Sequence, residues 1–497
     1  MIQKNSHIGF RVSIELPSDH FPHDSKKLTN IYIVLGHGIS FFRNSNHLLD
    51  YARKFWGDRE IYSVTAAGSK LYILTDPKDV TEAYKNTSTL SFEEFVQAMM
   101  RTSGSSEHVV VKMYEPADPE KAIFPNPRNK PLAKLARDLH HHQLLPGREL
   151  DNLRGTFIEY FDKQLNLKHM QSHFYVKSST DNEVVLPLYL WSSDVMICGG
   201  QEAYFGPELG KLEPNLTWDF LKFDDLTWQV LYQYPPFLAK TMFRAKAKVI
   251  DGLERYFSLP EEERGDSSWF TPNMESEMRN LGFDTRQVAI MMMTIYWGIN
   301  TNTRRACFWM FTFILQNPDL LEAVREETKG CFLDGKRPDM KYLDENCPTM
   351  NGIWNETLRL SAYSSSVRYI SEDTRIGGKL LRKGNRVMIP NRQLHFNEKV
   401  FGGNVHEFNP KRFMNNDGIL RNASWRPFGG GTTICPGRFI AKQATLCYIA
   451  MVLQRFDIEV VGEKRFPIME EGNPVLGIMS TKNGDDLMVK LKPRKAE

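Results

Sequence analysis

One cysteine of this 497-residue chain has neighbours that point to chemistry. Between Trp425 and Ala441 the sequence reads WRPFGGGTTICPGRFIA, with the spacing F-x-x-G-x-x-x-C-x-G filled by Phe428, Gly431, Cys435 and Gly437. Glycine has no Cβ, so this backbone can pass close to a flat group. Pro436 suits the first turn of a helix. Cys435 therefore sits at a helix N-terminus, where the dipole favours a thiolate. A thiolate in such a cradle is equipped to ligate a metal carried in a macrocycle, haem foremost, with loop N–H groups tuning the sulfur. The plainer alternative is a buried cysteine after a glycine turn. A phosphate loop is excluded, because no Gly-Lys-Ser/Thr follows. The other five cysteines are irregularly spaced and form no C-x-x-C pair, which argues against zinc and thioredoxin-type sites. A disulfide framework does not suit a chain of this size.

A charged constellation lies upstream. Glu356 and Arg359 in NETLRL are three residues apart and share a helix face. An exposed pair of this kind contributes only a few tenths of a kcal/mol. Trp354 and Leu358 on the same helix predict burial instead, and a buried carboxylate needs further donors. Arg412, in Phe408-Asn-Pro-Lys-Arg412-Phe413, can supply them.

These residues must be held by a few elements. The spacing predicts a helix from Thr285 to Gln316, ended by Asn317-Pro318. Its core, VAIMMMTIYWGINTNTRRACFWMFTFIL, is apolar nearly all round and so belongs inside the protein. Asn300, Thr301, Asn302 and Thr303 interrupt it beside Gly298, and such side chains can bond backbone carbonyls and loosen a helix. A simple bend without a chemical role is the alternative. The text from Leu132 to Glu327 reads as mainly helical, and a last apolar helix runs from Arg438 to Leu453. Strand-like runs surround Ile61–Val64, Leu71–Leu74, Val367–Tyr369 and Val387–Ile389. Strands and helices do not alternate regularly, so the expected class is mainly α with a small β region.

The cysteine loop, E-x-x-R and F-x-P-x-R-F, in this order and spacing, resemble the haem-thiolate cytochrome P-450 superfamily from about Ile33 to the C-terminus. The resemblance implies that fold, with haem (iron protoporphyrin IX) between the long central helix and the helix after Cys435. It makes Cys435 the iron ligand, with Phe428, Gly431 and Gly437 shaping the loop around it. Glu356, Arg359 and Arg412 become a structural triad behind the haem, and Arg368 a contact to a haem propionate. Over the haem the superfamily usually carries an acid-alcohol pair that manages protons, and the aligned residues here are Thr301 and Asn302. Two positions depart from the pattern. Thr433 stands where many members have Arg or His, and the W-x-x-x-R propionate helix is missing from NKPLAKLARDLHHHQLL, where Lys130, Lys134 or Arg137 could substitute.

Three stretches look more like sterol 7-alpha-hydroxylases and prostacyclin synthase than like the superfamily at large. They are Trp297-Gly-Ile-Asn-Thr-Asn302 with Phe308-Trp309, Ala203-Tyr-Phe-Gly206, and Tyr234-Pro-Pro-Phe-Leu-Ala-Lys-Thr-Met-Phe243-Arg244. The implied function is a monooxygenase inserting oxygen into a hydrophobic sterol-, terpenoid- or polycyclic-like molecule. It would use O2 and electrons from NADPH-cytochrome P-450 reductase, docked on a basic patch that includes Arg438 and Lys442. That branch also contains an isomerase, so a haem-thiolate isomerase or dehydratase needing no reductase is the first alternative. A non-catalytic haem sensor or carrier is the second, and the aromatic-rich segment 216–257, suited to a substrate cavity, argues against it.

Bulk properties narrow the partners. A net charge of +3 with no long basic block gives no reason to expect nucleic acid. No stretch approaches the ~20 apolar residues that span a bilayer, and the N-terminus lacks the apolar core of a signal peptide. The expectation is a segment 1–32 without a transmembrane anchor, then a catalytic domain 33–497. It would be a monomer with peripheral membrane contact, at the cytosolic face of the endoplasmic reticulum or in the cytoplasm. The His140-His141-His142 run reads as an ordinary helix face rather than a metal site.

Overall fold

The longest apolar run becomes the central helix, Thr285–Leu315. The computed structural model describes residues 37–494 apart from 67–68, 117, 119, 121–122, 233, 333–334 and 415, together with Lys26 and Lys27. Asp284 caps the central helix, its carboxylate accepting from Gln287 N at 2.8 Å. From Ala306 to Leu315 every residue is buried, so the C-terminal half has no solvent face. Trp309 Nε1 donates to Met479 O at 2.7 Å, and Phe313 stacks on Phe408 with centroids 3.9 Å apart. Burying each such ring stabilises the fold by roughly 1.5–3 kcal/mol, and these contacts tie the C-terminal segment to the helix. The polar stretch 300–303 does not break the helix. Thr301 and Thr303 return their hydroxyls to the carbonyls four residues earlier, at 2.8 and 3.5 Å, and the turns continue.

Helices Leu188–Phe205 and Lys240–Ser258, the E-x-x-R helix Pro348–Ser361 and the cysteine-loop helix Arg438–Arg455 all pack on the central helix. The result is mainly helical with small sheets. The strands are β1 (Lys26–Lys27), β2 (Tyr62–Ala66), β3 (Ser69–Ile73), β4 (Leu90–Ser91), β5 (Ser178–Thr180), β6 (Glu183–Pro187), β7 (Ser365–Ile370), β8 (Thr374–Ile376), β9 (Lys379–Leu381), β10 (Arg386–Pro390), β11 (Phe456–Val460) and β12 (Met488–Pro493). One sheet has the order β1-β2-β3-β10-β7-β4, with β3 parallel to β10 although more than three hundred residues separate them. Val387 of β10 faces Arg368 of β7, and this register fixes where Arg368 stands.

Residues 132–327 are mainly helical, as expected, apart from β5 and β6, which join the second sheet, β11-β12-β6-β5. β5 and β6 turn through Asp181-Asn182, and β6 pairs with β12 some three hundred residues downstream. The three residues of β5 are all exposed, so no alternation marks them in sequence. The segment 1–32 lies outside the described residues except for Lys26 and Lys27. No described helix is long and apolar enough to cross a membrane.

Candidate active site

The site starts from a buried carboxylate. Glu356 and Arg359 are wholly withdrawn from solvent, and Arg412 is nearly so. Arg359 has five N–H donors, and all five are used. Nε and Nη2 donate to Glu356 at 2.8 and 2.7 Å, Nη1 to the His395 and Val405 carbonyls, and Nη2 also to Glu407 O. Glu356 Oε1 accepts in addition from Asn409 N at 2.9 Å and Arg412 Nε at 3.3 Å. Arg412 spends its remaining donors on the carbonyls of Phe401 and Asn404. The E-x-x-R helix thereby clamps the irregular chain 395–413. At Gly352 the fit is so close that a Cβ would lie 2.9 Å from Pro410 O.

His395 carries this clamp into the cysteine loop. Its Nε2 accepts from Arg426 N at 3.1 Å, which leaves the ring proton on Nδ1. The ring lies against Trp425, which also packs on Phe413. Burial, aided by the Arg359 charge, lowers the His395 pKa from 6.5 to about 3. Sequence reading did not single out this histidine, because nothing local marks it.

The loop itself closes through Cys435 N donating to Phe428 O at 3.0 Å. Gly431 has φ +63°, and a Cβ there would meet Tyr84 O at 2.9 Å, so glycine is required twice over. Phe428 is half-buried against the core. At Gly437, by contrast, a Cβ would sit 3.8 Å from Cys435 Sγ, an ordinary contact. Cys435 combines two properties that seldom coincide. It is exposed, yet burial pushes its pKa up, against the pull of the Gly437 N–H and the Arg438 charge and N–H. A side chain surrounded by protein and still open to solvent faces a hollow rather than the outer surface. The other cysteines offer no such opening, since four are buried and Cys198 is bonded to Thr217 and Asp194.

Cations border the loop. Arg368 is buried on Phe92 and Tyr84, donates to Thr433 Oγ1 at 2.6 Å, and has no carboxylate partner among the described residues. Thr433, one of the two departures from the expected pattern, thus engages an arginine. Of the three cations weighed for the missing propionate contact, Lys130 pairs with Asp138 and Lys134 with Glu93. Arg137 alone reaches the loop, at Thr432 O, 3.4 Å. An accessible sulfur and two arginines without carboxylate partners among the described residues form a donor set that fits haem and its carboxylates, while the glycine at 431 answers to the close approach of Tyr84. Beyond the loop, Lys442 is paired with Asp344, while Arg438 donates to the Cys435 carbonyl and keeps its charge. The histidine run holds no metal cluster among the described residues, and His140 instead bonds Ala136 O and packs on Phe270.

The central helix presents a second wall. Thr294, Ile295, Gly298, Ile299, Asn302 and Thr303 form the accessible stripe of an otherwise buried segment, at spacings of one helix turn. Asn302 Oδ1 accepts from Ile478 N at 2.9 Å. Thr301 is separated from it. Its hydroxyl points to Asp224 Oδ1 at 2.8 Å, on another face, while Asn300 is buried against Gly200. Thr303 is the hydroxyl that shares the Asn302 face.

Asp224 is the residue that sequence reading missed. Its carboxylate is fully buried and receives Thr301, Trp297, Arg304 and Arg305. Burial works against this carboxylate, but Arg305 and Arg304 outweigh it and hold its pKa below the usual range. Arg304 also bonds the Tyr189 and Ser193 hydroxyls.

Comparison with known proteins follows the same lines. A family model described as cytochrome P-450 matches residues 219–489. The cytochrome P-450 monooxygenase poxD of Penicillium oxalicum is 26% identical over 458 residues, covering 88% of each chain. The cholesterol 7-alpha-monooxygenase of Cricetulus griseus is 24% identical over 401 residues, 72% of this chain and 79% of the relative. Cytochrome P-450 7B1 of Mus musculus is 24% identical over 470 residues, 86% of this chain and 83% of the relative.

Two expectations come from this geometry. Glu356→Ala leaves two buried guanidiniums without their anion and should cost about 3–5 kcal/mol. Denaturant midpoints measure it, and an unchanged midpoint would show that the carboxylate is dispensable. For His395, the unfolded chain binds a proton below about pH 6.5 that the folded protein refuses until about pH 3. Stability is therefore full above the unfolded pKa and lost as pH falls toward the folded one, by roughly 3 kcal/mol at about pH 4.5. His395→Gln keeps an acceptor for Arg426 N and should shed most of that acid-dependent loss in urea titrations compared at about pH 7 and about pH 4.5. An equal acid loss in both proteins would refute the assignment.

Proposed function

The chain belongs to the cytochrome P-450 family of haem-binding monooxygenases, and on that premise we propose that Cys435 is the axial ligand and that a hydrophobic sterol-, terpenoid- or polycyclic-like substrate is oxidised between the cysteine loop and the central helix. The observation that carries this reading is Cys435 itself, enclosed by protein yet open on one side. Arg368 and Arg137 would take the haem carboxylates. When bound, the thiolate-ligated haem supplies oxygen activation with electrons from NADPH-cytochrome P-450 reductase. Cholesterol 7-alpha-monooxygenase among the relatives supports a flat polycyclic substrate.

The protein's own part is positioning. Asn302 is held by its oxygen to Ile478 N, which leaves its NH2 group toward the accessible stripe. An amide is a poor proton source, but its N–H can hold and orient a water. The Thr303 hydroxyl, one residue on, completes the relay on that face. Thr301 belongs to the anchoring of this helix through Asp224 and not to the open face.

The reading extends to a surface. Ile39 and Phe42 on the helix Gly38–Trp56 are exposed, as are Phe237 and Leu238 ahead of Lys240–Ser258. Tyr232 joins the two regions, 4.9 Å from the Phe42 ring and bonded to Phe41 O. Such a patch suits peripheral contact with a membrane, at the cytosolic face of the endoplasmic reticulum.

Product should form only when NADPH, reductase and air are all present. Product without them would identify an isomerase or dehydratase, and haem without turnover a carrier. Asn302→Leu should keep haem but lower product per NADPH by a factor of about 10²–10⁴, with Asn302→Thr recovering part of it. Wild-type coupling in Asn302→Leu would remove Asn302 from the relay. Flotation with phosphatidylcholine vesicles should weaken in a Phe237→Ser, Leu238→Ser double variant, and undiminished flotation would place the contact elsewhere.

A further inference from the structure

Gly477 is a glycine that its own backbone does not require. Its φ lies outside the left-handed region, so alanine would suit the conformation. What excludes a side chain there is Asn302. A Cβ at 477 would lie 2.5 Å from Asn302 Cγ and 2.7 Å from Nδ2, with Oδ1 nearer still. The side-chain amide thus fills the space that a Cβ would take. The next residue, Ile478, donates its N–H to Oδ1 at 2.9 Å, and that bond decides which end of the amide is oxygen. The NH2 end has no acceptor among the described residues.

The segment against which the amide lies is held on every side. Tyr363 N donates to Gly477 O at 2.7 Å, Arg305 Nη1 to Ile478 O at 3.2 Å, and Trp309 Nε1 to Met479 O at 2.7 Å. Met479 N donates in turn to Ser361 O at 3.0 Å. Arg305 is itself fixed by Asp224. Shifting this backbone would break four hydrogen bonds, whereas turning Asn302 away breaks one. A methyl group at 477 would therefore be accommodated by the amide, the far end of a flexible side chain, and not by the fold.

We propose that Gly477 is a positioning residue for proton delivery: carrying no side chain, it lets the Asn302 amide lie against segment 477–479, where the Ile478 N–H turns the NH2 group toward the accessible stripe. This rests on the reading of Asn302 as the holder of a relay water. A water is oriented only as well as the group that binds it, because hydrogen bonds weaken steeply with angle. A displacement of about 1 Å can cost a positioned reaction about a hundredfold. Gly477 acts through Asn302 alone.

The test compares wild type, Gly477→Ala, Asn302→Ala and the double variant, each as the haem-loaded full chain. The first readout is independent of turnover: hydrogen exchange at the Ile478 amide, resolved by NMR, with Met479 as internal control. Gly477→Ala and Asn302→Ala should each speed Ile478 exchange roughly 2–10-fold and leave Met479 unchanged. The second readout is the fate of O2 with NADPH and NADPH-cytochrome P-450 reductase, without added substrate. One NADPH and one proton reduce O2 to hydrogen peroxide, whereas two NADPH and two protons reduce it to two waters. The ratio of NADPH to O2 consumed therefore reports the split. Wild type should carry part of the oxygen to water. Gly477→Ala should cut that part roughly 10–100-fold, and Asn302→Ala at least as much. The double variant should match Asn302→Ala in both readouts, since no amide is left to displace. Melting temperature and the carbon monoxide spectrum should stay those of wild type. Wild-type exchange or a wild-type split in Gly477→Ala overturns the inference, as does faster exchange at Met479, which would show that the backbone yielded. A double variant worse than Asn302→Ala overturns it too. A wild-type split in Asn302→Ala, or a wild type that releases only peroxide, would instead fail the relay reading on which the role of Gly477 rests.

Discussion

Glu356 is the point from which the rest of the structure is held. Its carboxylate lies in the interior with one close arginine, a second arginine and a backbone N–H. Neither charge could be buried alone, because desolvation would cost several kcal/mol per ion. Together they are satisfied, and the satisfaction reaches through backbone: Arg359 grips carbonyls of 395, 405 and 407, and Arg412 grips those of 401 and 404. A meandering stretch with little regular structure thereby acquires fixed coordinates. His395 passes that rigidity to Arg426, and the cysteine loop begins there. The place of Cys435 thus follows from an ion pair that touches neither it nor the substrate.

The central helix solves a different problem. It must be immobile and yet leave room beside it. Its C-terminal half is packed on all sides, while the middle is open along a stripe that includes Gly298, where a Cβ would meet nothing within 4 Å. The charged face at 304–305 would be prohibitive in an apolar interior without Asp224 to receive it. That cluster anchors the helix Leu216–Asp224 to the same rigid rod, on a face other than the stripe. The two buried charge clusters act alike, each holding a neighbouring segment in place.

Which parts of this were legible in the sequence follows from how local each signal is. Glu356 and Arg359 sit one helix turn apart, so their shared face can be read directly. The cysteine loop is legible because its glycines answer to backbone conformation, as the left-handed φ at Gly431 shows. Asp224 is invisible by the same reasoning. Its partners lie seventy-three to eighty-one residues away, and Asp224-Asp225 at the end of a short helix resembles any polar helix terminus. Thr301 and Thr303 differ only in helical phase, which sequence cannot set until the neighbours of each face are known. Arg137 could not be separated from Lys130 and Lys134 until the acids that occupy the lysines were located. β5 and β6 depend on β12, a pairing no local pattern announces.

The central claim is that Cys435, placed by this scaffold, binds haem iron through its sulfur. The most direct measurement is the absorption spectrum of the reduced protein under carbon monoxide, for wild type and Cys435→Ala. Wild type should show the strongly red-shifted Soret band that a thiolate ligand produces, and the variant should lack it whether or not it retains haem. A red-shifted band that persists in Cys435→Ala would contradict the account.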